Sequence, residues 1–100
     1  MANRQDGFYP RYGTGSIESV TNSSASETVE IATEALCLTN LGATVCYVRT
    51  GVSSATATTA DYPVPGYAQV VIRINSDHDT VAYITAAGTT SLHIMVGSGV

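Results

Sequence analysis

The stretch LCLTNLGATVCYVRTG, residues 36–51, places two cysteines in adjacent apolar runs around an Asn-Leu-Gly turn. From about residue 28 onward the chain alternates with period two, which is typical of short β-strands. With its tip at residues 40–43, the stretch is predicted to be a hairpin that pairs Cys37 with Cys46. Two thiols that face each other in this way could form a disulfide, hold a metal ion or pack as small apolar groups.

The three interpretations of Cys37 and Cys46 make different demands. A structural zinc site needs four ligands, and the chain has two Cys and two His without a CxxC pair. The N-terminus has no apolar core of a secretory signal, which predicts synthesis in the cytosol, where thiols stay reduced. Packing as small buried side chains is therefore favoured, and a disulfide and a metal clip are the alternatives.

Composition limits the classes of protein that fit. One hundred residues predict a single domain, and the charged fraction of 12% is about half the usual level of roughly 25%. There is no Lys, and four Arg against eight carboxylates give a net charge of −4. This balance argues against direct nucleic-acid binding, and no stretch approaches the ~18 apolar residues of a membrane span. A weakly charged surface instead suits burial against other subunits.

Strands are predicted over most of the chain from residue 28 onward, because Val, Ile, Thr and Tyr alternate there between short turns. A helix is the alternative near Ser24 and Glu27, which could form a capping box. The predicted strands are 28–32, 35–39, 44–50, 68–75, 80–86 and 90–96.

The last three predicted strands form a meander in which Ile72 lies opposite Ile84, and Ile84 lies opposite Leu92. Their shared apolar face needs a second sheet to cover it. Residues 51–69 contain Pro63, Pro65 and Gly66 and are predicted to be a long loop that crosses between the sheets. The predicted fold is all-β, a small antiparallel β-sandwich or jelly-roll-like barrel. The core comprises Val70, Ile72, Ile74, Ala82, Ile84, Leu92, Ile94 and Val96, covered by Leu36, Leu38, Val45 and Tyr47.

Residues 1–26 are predicted to be an extended N-terminal arm, and residues 27–100 the β-sandwich domain. The arm holds three of the seven aromatic residues within five positions, and disordered tails normally lack such residues. It therefore docks either on a neighbouring subunit or on its own domain, and Tyr and Phe are favoured in the centres of interfaces. The predicted interface residues are Phe8, Tyr9, Arg11, Tyr12, Tyr62 and Tyr67.

Catalysis is not indicated. Asp77, His78 and Asp79 could be an acid–base group or metal site, but they fall in a predicted turn, where Asp caps backbone amides. No Ser lies in a G-x-S-x-G motif, and the glycine-rich segments 13–16 and 97–99 lack the lysine of a phosphate loop. The prediction is a protein that is not an enzyme, with no catalytic residue, cofactor or metal ion.

Three runs, NLGATVCYVRTG, PVPG and VAYITAAGTTSLHIMVGSG, resemble small β-rich virion proteins of tailed bacteriophages. The likeness covers residues 36–99 and is closest to capsid cement (decoration) proteins. It implies a homotrimeric sandwich on the capsid surface of the virion, bound to the major capsid protein, with synthesis in the host cytoplasm. Such proteins have no catalytic residues.

Two other functions remain open at this point. The same sandwich could serve as a neck, tail or fibre-associated structural protein of the phage. It could also be a receptor- or glycan-binding module that uses Tyr62, Tyr67 and the turn 77–79, because an aromatic face beside a carboxylate can bind a sugar.

Overall fold

The computed structural model of the protein describes residues 8–29, 34–75 and 77–99, which form nine antiparallel strands and no helix. The predicted all-β class is confirmed. The strands are β1 (Phe8–Pro10), β2 (Ser16–Val20), β3 (Ala25–Thr28), β4 (Ala35–Asn40), β5 (Cys46–Gly51), β6 (Tyr62–Val64), β7 (Gln69–Arg73), β8 (Thr80–Thr85) and β9 (Thr90–Gly99).

The strands form two sheets that pack face to face. In sheet A, β1 and β2 pair with successive parts of β9, which is followed by β4 and β7. Sheet B has the order β3-β8-β5-β6. Consecutive strands lie in different sheets, except for β1 with β2 and β5 with β6. If β1 and β2 are taken as one interrupted edge strand, this is the eight-stranded jelly-roll topology.

The core lies between the sheets, where alternate side chains of both meet. Leu36 and Leu38 from β4 and Leu92 from β9 have no exposed surface. Each such side chain contributes about 1.5–3 kcal/mol by its removal from water. The described core cluster is Val20, Val29, Leu36, Leu38, Cys46, Val48, Val64, Ile74, Val81, Tyr83, Leu92, Ile94 and Val96.

The predicted hairpin at residues 36–51 is wrong. Cys37, on β4, lies opposite Val71 and Met95 in sheet A, whereas Cys46, on β5, lies opposite Val64 and Thr85 in sheet B. Both cysteines are free. Burial raises the pKa of the Cys46 thiol to about 11, so it packs as a neutral apolar group.

The predicted core face of β5 is also wrong, since Cys46 and Val48 are buried, while Val45 is 38% exposed and Tyr47 half-buried. The five residues 41–45 carry the chain from one sheet to the other. Because the chain passes from sheet A to sheet B between β4 and β5, pairing of β5 with β4 does not determine which face of β5 meets the core.

The predicted meander is wrong for the same reason, because β7 and β9 belong to sheet A and β8 to sheet B. Ile72 lies opposite Leu36 and not Ile84. The inward faces of β7 and β9 are confirmed, whereas β8 contributes Val81 and Tyr83 to the core cluster in place of Ala82 and Ile84.

Two further segments differ from the prediction. Residues 62–64, assigned to a loop, form β6, an edge strand of sheet B; Pro63 is tolerated there because an edge strand leaves one side unpaired. Of the strand predicted at 28–32, only Thr28 lies in a strand, as the last residue of β3; Val29 follows it outside any strand, and residues 30–33 lie outside the described part of the chain. The helix alternative near Ser24 and Glu27 is wrong, because β3 occupies 25–28.

The segment assigned to an N-terminal arm contributes to both sheets over its described residues. β1 and β2 extend the edge of sheet A, and β3, which begins at Ala25, pairs with β8 in sheet B. Residues 8–26 are therefore part of the sandwich of their own chain.

Candidate functional site

The aromatic residues of the N-terminal segment lie at one end of sheet A. Tyr9 is 76% exposed and Tyr12 is 85% exposed, whereas Phe8 is half-buried. The ring of Phe8 lies over Gly97, where a Cβ atom would meet the ring at 2.6 Å. The backbone N–H of Arg11 donates to the Val96 carbonyl at 2.9 Å. These contacts hold the base of the segment while two tyrosines face solvent.

Tyr62 and Tyr67 lie elsewhere. Tyr62 is 49% exposed on β6, at the edge of sheet B. Tyr67 is 75% exposed in the connection to β7, at the end of the sandwich where β9 begins. Since Tyr9 pairs with Ser98 near the other end of β9, Tyr67 and Tyr9 are separated by roughly 20 Å. The six predicted interface residues therefore do not form one patch.

The turn 77–79 lies at the same end as Tyr9. The Asp79 N–H donates to the Gly51 carbonyl at 3.0 Å, and the Asp79 carbonyl accepts from the Val29 N–H at 2.7 Å. His78 Nδ1 lies 3.0 Å from Thr50 Oγ1. These bonds hold the turn against β5. Because Tyr67 lies at the opposite end, the structure does not bring together the predicted glycan site.

Four connections meet at the end that contains Tyr67, and none has a charged residue or a histidine. We call this surface the neutral end, defined as residues 21–24, 41–45, 65–68 and 86–89. Backbone bonds link its parts: Tyr67 N–H donates to the Gly42 carbonyl, and Thr85 N–H donates to the Thr21 carbonyl, both at 2.9 Å. Leu41 is 45% exposed there, so the surface combines apolar side chains with an uncharged backbone.

Asn40 holds the neutral end from inside and is 1% exposed. Its Nδ2 donates to the carbonyls of Thr44 at 2.8 Å and Val64 at 3.0 Å. Its Oδ1 accepts from the Gly42 N–H at 3.1 Å and from the Thr90 hydroxyl at 2.6 Å. One side chain thus joins three of the four connections or the strands adjacent to them, and all its polar atoms are satisfied.

Tyr67 has a left-handed backbone, with φ of 59°. This conformation is costly for a large side chain and persists only where the surroundings impose it. The preceding Gly66 is pressed against the Ala43 carbonyl, so a Cβ atom has no room there. Packing of the two connections therefore holds the backbone at Tyr67, whose side chain is exposed.

A cavity of about 180 Å³ opens between the sheets near β2 and β3. Glu27 lines it, and desolvation raises the pKa of this carboxyl, with the nearby Glu18 as the second cause. The Tyr83 hydroxyl donates to Glu18 Oε1 at 3.3 Å, and burial raises the pKa of Tyr83 to about 12. The described residues contain no group of three or more His, Cys, Asp or Glu side chains placed to hold a metal ion. The lining residues are Thr14, Ser16, Glu27, Thr28, Val29, Ile94 and Val96.

The outer faces of the two sheets differ. Over sheet B, Ala57 in the connection between β5 and β6 is 2% exposed, and its N–H donates to Ser24 Oγ at 2.9 Å, beside the far edge strand β3. This connection therefore crosses sheet B, and Ala82 beneath it has no exposed surface. On sheet A the outward row Val71, Cys37 and Met95 is only partly buried.

Sequence analysis identified the exposed tyrosines but missed Leu41 and Val45 as surface groups, since it assigned Val45 to the core. A signal was present: the four turns that now form the neutral end contain no Asp, Glu, Lys, Arg or His. The false hairpin concealed that these turns meet.

Comparison with known proteins gives no match to a family model, to a curated protein or to a solved structure. The described residues include no helix long and apolar enough to cross a membrane.

Proposed function

We propose that this chain is a bacteriophage capsid cement protein, a homotrimer that binds the major capsid protein on the virion surface and stabilises the particle. One observation carries the proposal: Tyr9, Tyr12 and Tyr67 are each at least 75% exposed on a weakly charged jelly roll. Exposed aromatic residues are typical of surfaces that contact other proteins. The resemblance of residues 36–99 to small phage virion proteins supplies the kind of partner.

The positions of the tyrosines suit contact with more than one neighbour. Tyr9 and Tyr12 lie at one end of the sandwich, and Tyr67 lies at the other. A subunit with two separate contact regions can bridge two neighbours, and several weak contacts then act together through their high effective concentration. Threefold symmetry repeats each contact without any new surface. The activity of such a protein is the mechanical stability of a particle.

The test is the copy number of this chain in virions purified from the phage that encodes it. Hundreds of copies per particle support a capsid cement protein. A dozen or fewer would move the chain to the neck, tail or fibre, and absence from the virion would overturn the proposal.

A matched pair of variants tests the contact itself. Tyr9→Ser with Tyr12→Ser removes two exposed rings, and we expect occupancy on particles that lack the wild-type chain to fall about tenfold. The control, Thr58→Ser with Thr59→Ser, changes two exposed residues of the connection between β5 and β6 and should bind like the wild type. Equal binding by both variants would remove the tyrosines from the contact.

A further inference from the structure

We propose that the neutral end is the surface through which copies of this chain bind one another. The proposal rests on the self-association included in the proposed function, but it requires no capsid. The occupant of the neutral end is thus a second copy of the chain, which presents the same uncharged, partly apolar surface.

Charge is the first argument. The chain has a net charge of −4, so two copies repel each other, and an interface that contains the charges must also desolvate them. The neutral end avoids the desolvation penalty and keeps the charges of the two copies apart, because its four connections contain no Asp, Glu, Lys, Arg or His. The other described connections contain Arg11, Glu34, Asp61, Asp77 and Asp79.

Exposed apolar surface is the second argument. Leu41, Val45 and Tyr67 are 45%, 38% and 75% exposed, and they belong to two connections joined by the bond from Tyr67 N–H to the Gly42 carbonyl. Burial of such side chains is favourable by about 25 cal/mol per Å². Because Asn40 and Gly66 already fix these connections, little conformational freedom is lost on binding.

Size is the third argument, and it determines the strength of the contact. The molecule measures 43 × 27 × 25 Å, and its long dimension follows the strands, since the ten residues of β9 span roughly 30 Å. An end-on outline of 27 × 25 Å offers roughly 500 Å², below the about 800 Å² per partner of a standard interface. We therefore expect reversible association in the range of about 1 μM to about 1 mM.

The test is sedimentation equilibrium of the full chain, with two matched double variants. L41D/Y67D places two carboxylates in the neutral end, and Asp tolerates the left-handed backbone at position 67. V52D/N75D makes the same change in net charge at two exposed positions away from the neutral end. We expect L41D/Y67D to weaken association about tenfold or more and V52D/N75D to weaken it less than about twofold. Chemical unfolding of both variants checks that each is folded.

Salt separates this contact from an ionic one. Association through uncharged surfaces should stay constant or tighten between about 0.05 and about 0.5 M NaCl, because screening acts only on charges. Association that weakens about fivefold or more over this range would overturn the proposal.

Other outcomes also decide the matter. A wild-type chain that stays monomeric up to about 1 mM would overturn the proposal, as would equal weakening by both double variants. Binding of the monomer to phosphatidylcholine vesicles, lost in L41D/Y67D, would assign the neutral end to lipid instead. A chain that self-associates through this end but is absent from virions would leave this inference intact and remove the capsid function.

Discussion

The neutral end and the outer face of sheet B are held together differently. At the neutral end, buried Asn40 bonds to backbone groups and to a buried hydroxyl. On the outer face of sheet B, Arg49 is 51% exposed and forms an ion pair of 2.8 Å with Asp61. Buried networks are insensitive to salt, whereas surface pairs are weak and screened. The difference predicts that the neutral end is the more rigid one under all solution conditions.

The largest effect is expected from Asn40→Ala, because it leaves two carbonyls, one N–H and one hydroxyl of the neutral end without their partner. We expect the free energy of unfolding to fall by about 3 kcal/mol, measured by chemical denaturation. The control Asn22→Ala, at an exposed position of the same end, should change stability by less than about 0.5 kcal/mol. A loss below about 1 kcal/mol for Asn40→Ala would contradict the role of this network.

Two glycines compare the ends at the level of the backbone. Gly66→Ala places a Cβ atom against the Ala43 carbonyl and should lower stability by about 2 kcal/mol. Gly13→Ala, at the opposite end, meets open space, but its φ of 86° disfavours any side chain, so about 1 kcal/mol is expected. Thermal unfolding should rank the two variants in this order, and the reverse order would mean that the neutral end adapts easily.

The ion pair between Arg49 and Asp61 should contribute little. A double-mutant cycle of Arg49→Met and Asp61→Asn should give a coupling of at most about 1 kcal/mol that shrinks as NaCl is raised. If the coupling were larger and independent of salt, the proposed contrast between the neutral end and the outer face of sheet B would be wrong.

The smallest effects concern pH and have opposite signs. The pKa of Asp61 is lowered, first by its hydrogen bond from the Thr58 N–H, so its contribution to stability exists above the ordinary value of 3.8 and is lost as pH falls through the lower folded value. The pKa of Glu27 is raised, so its contribution is fully present below 4.5 and is lost as pH rises through the folded value. In chemical unfolding at a series of pH values, the free energy of unfolding of Glu27→Gln should therefore rise relative to that of the wild type from pH 4 to pH 7. That of Asp61→Asn should rise relative to the wild type only below pH 4. If the free energies of a variant and the wild type changed equally with pH, the corresponding pKa shift would be contradicted.

Local alternation predicted the strand class and several inward faces correctly. Leu92, Ile94 and Val96 are buried as expected, because a strand alternates regardless of its partner. Pairing was not predictable in this way: short turns favour hairpins, but the connections 41–45 and 86–89 cross between sheets. A hairpin that pairs Val45 with Leu38 predicts that Val45 and Tyr47 are buried, whereas β5 buries Cys46 and Val48.

The candidate surfaces were predictable only in part. Exposure of Tyr9, Tyr12 and Tyr67 follows from their position in turns and at an edge, which composition can suggest. That Tyr67 lies far from Tyr9 depends on which strand ends meet, and this is a property of the topology. The topology likewise determines that Cys37 and Cys46 do not pair, because β4 and β5 belong to different sheets.

The place of β9 in both sequence and sheet affects how the chain is made. This strand joins β1 and β2 to β4, so β1 and β2 have no partner in sheet A until residues 90–99 have left the ribosome. Pairing between strands so distant in sequence is slow, and unpaired strand edges are exposed in the meantime. Folding is therefore expected after synthesis of this segment, and translation pauses in its codons should lengthen exposure to chaperones or proteases.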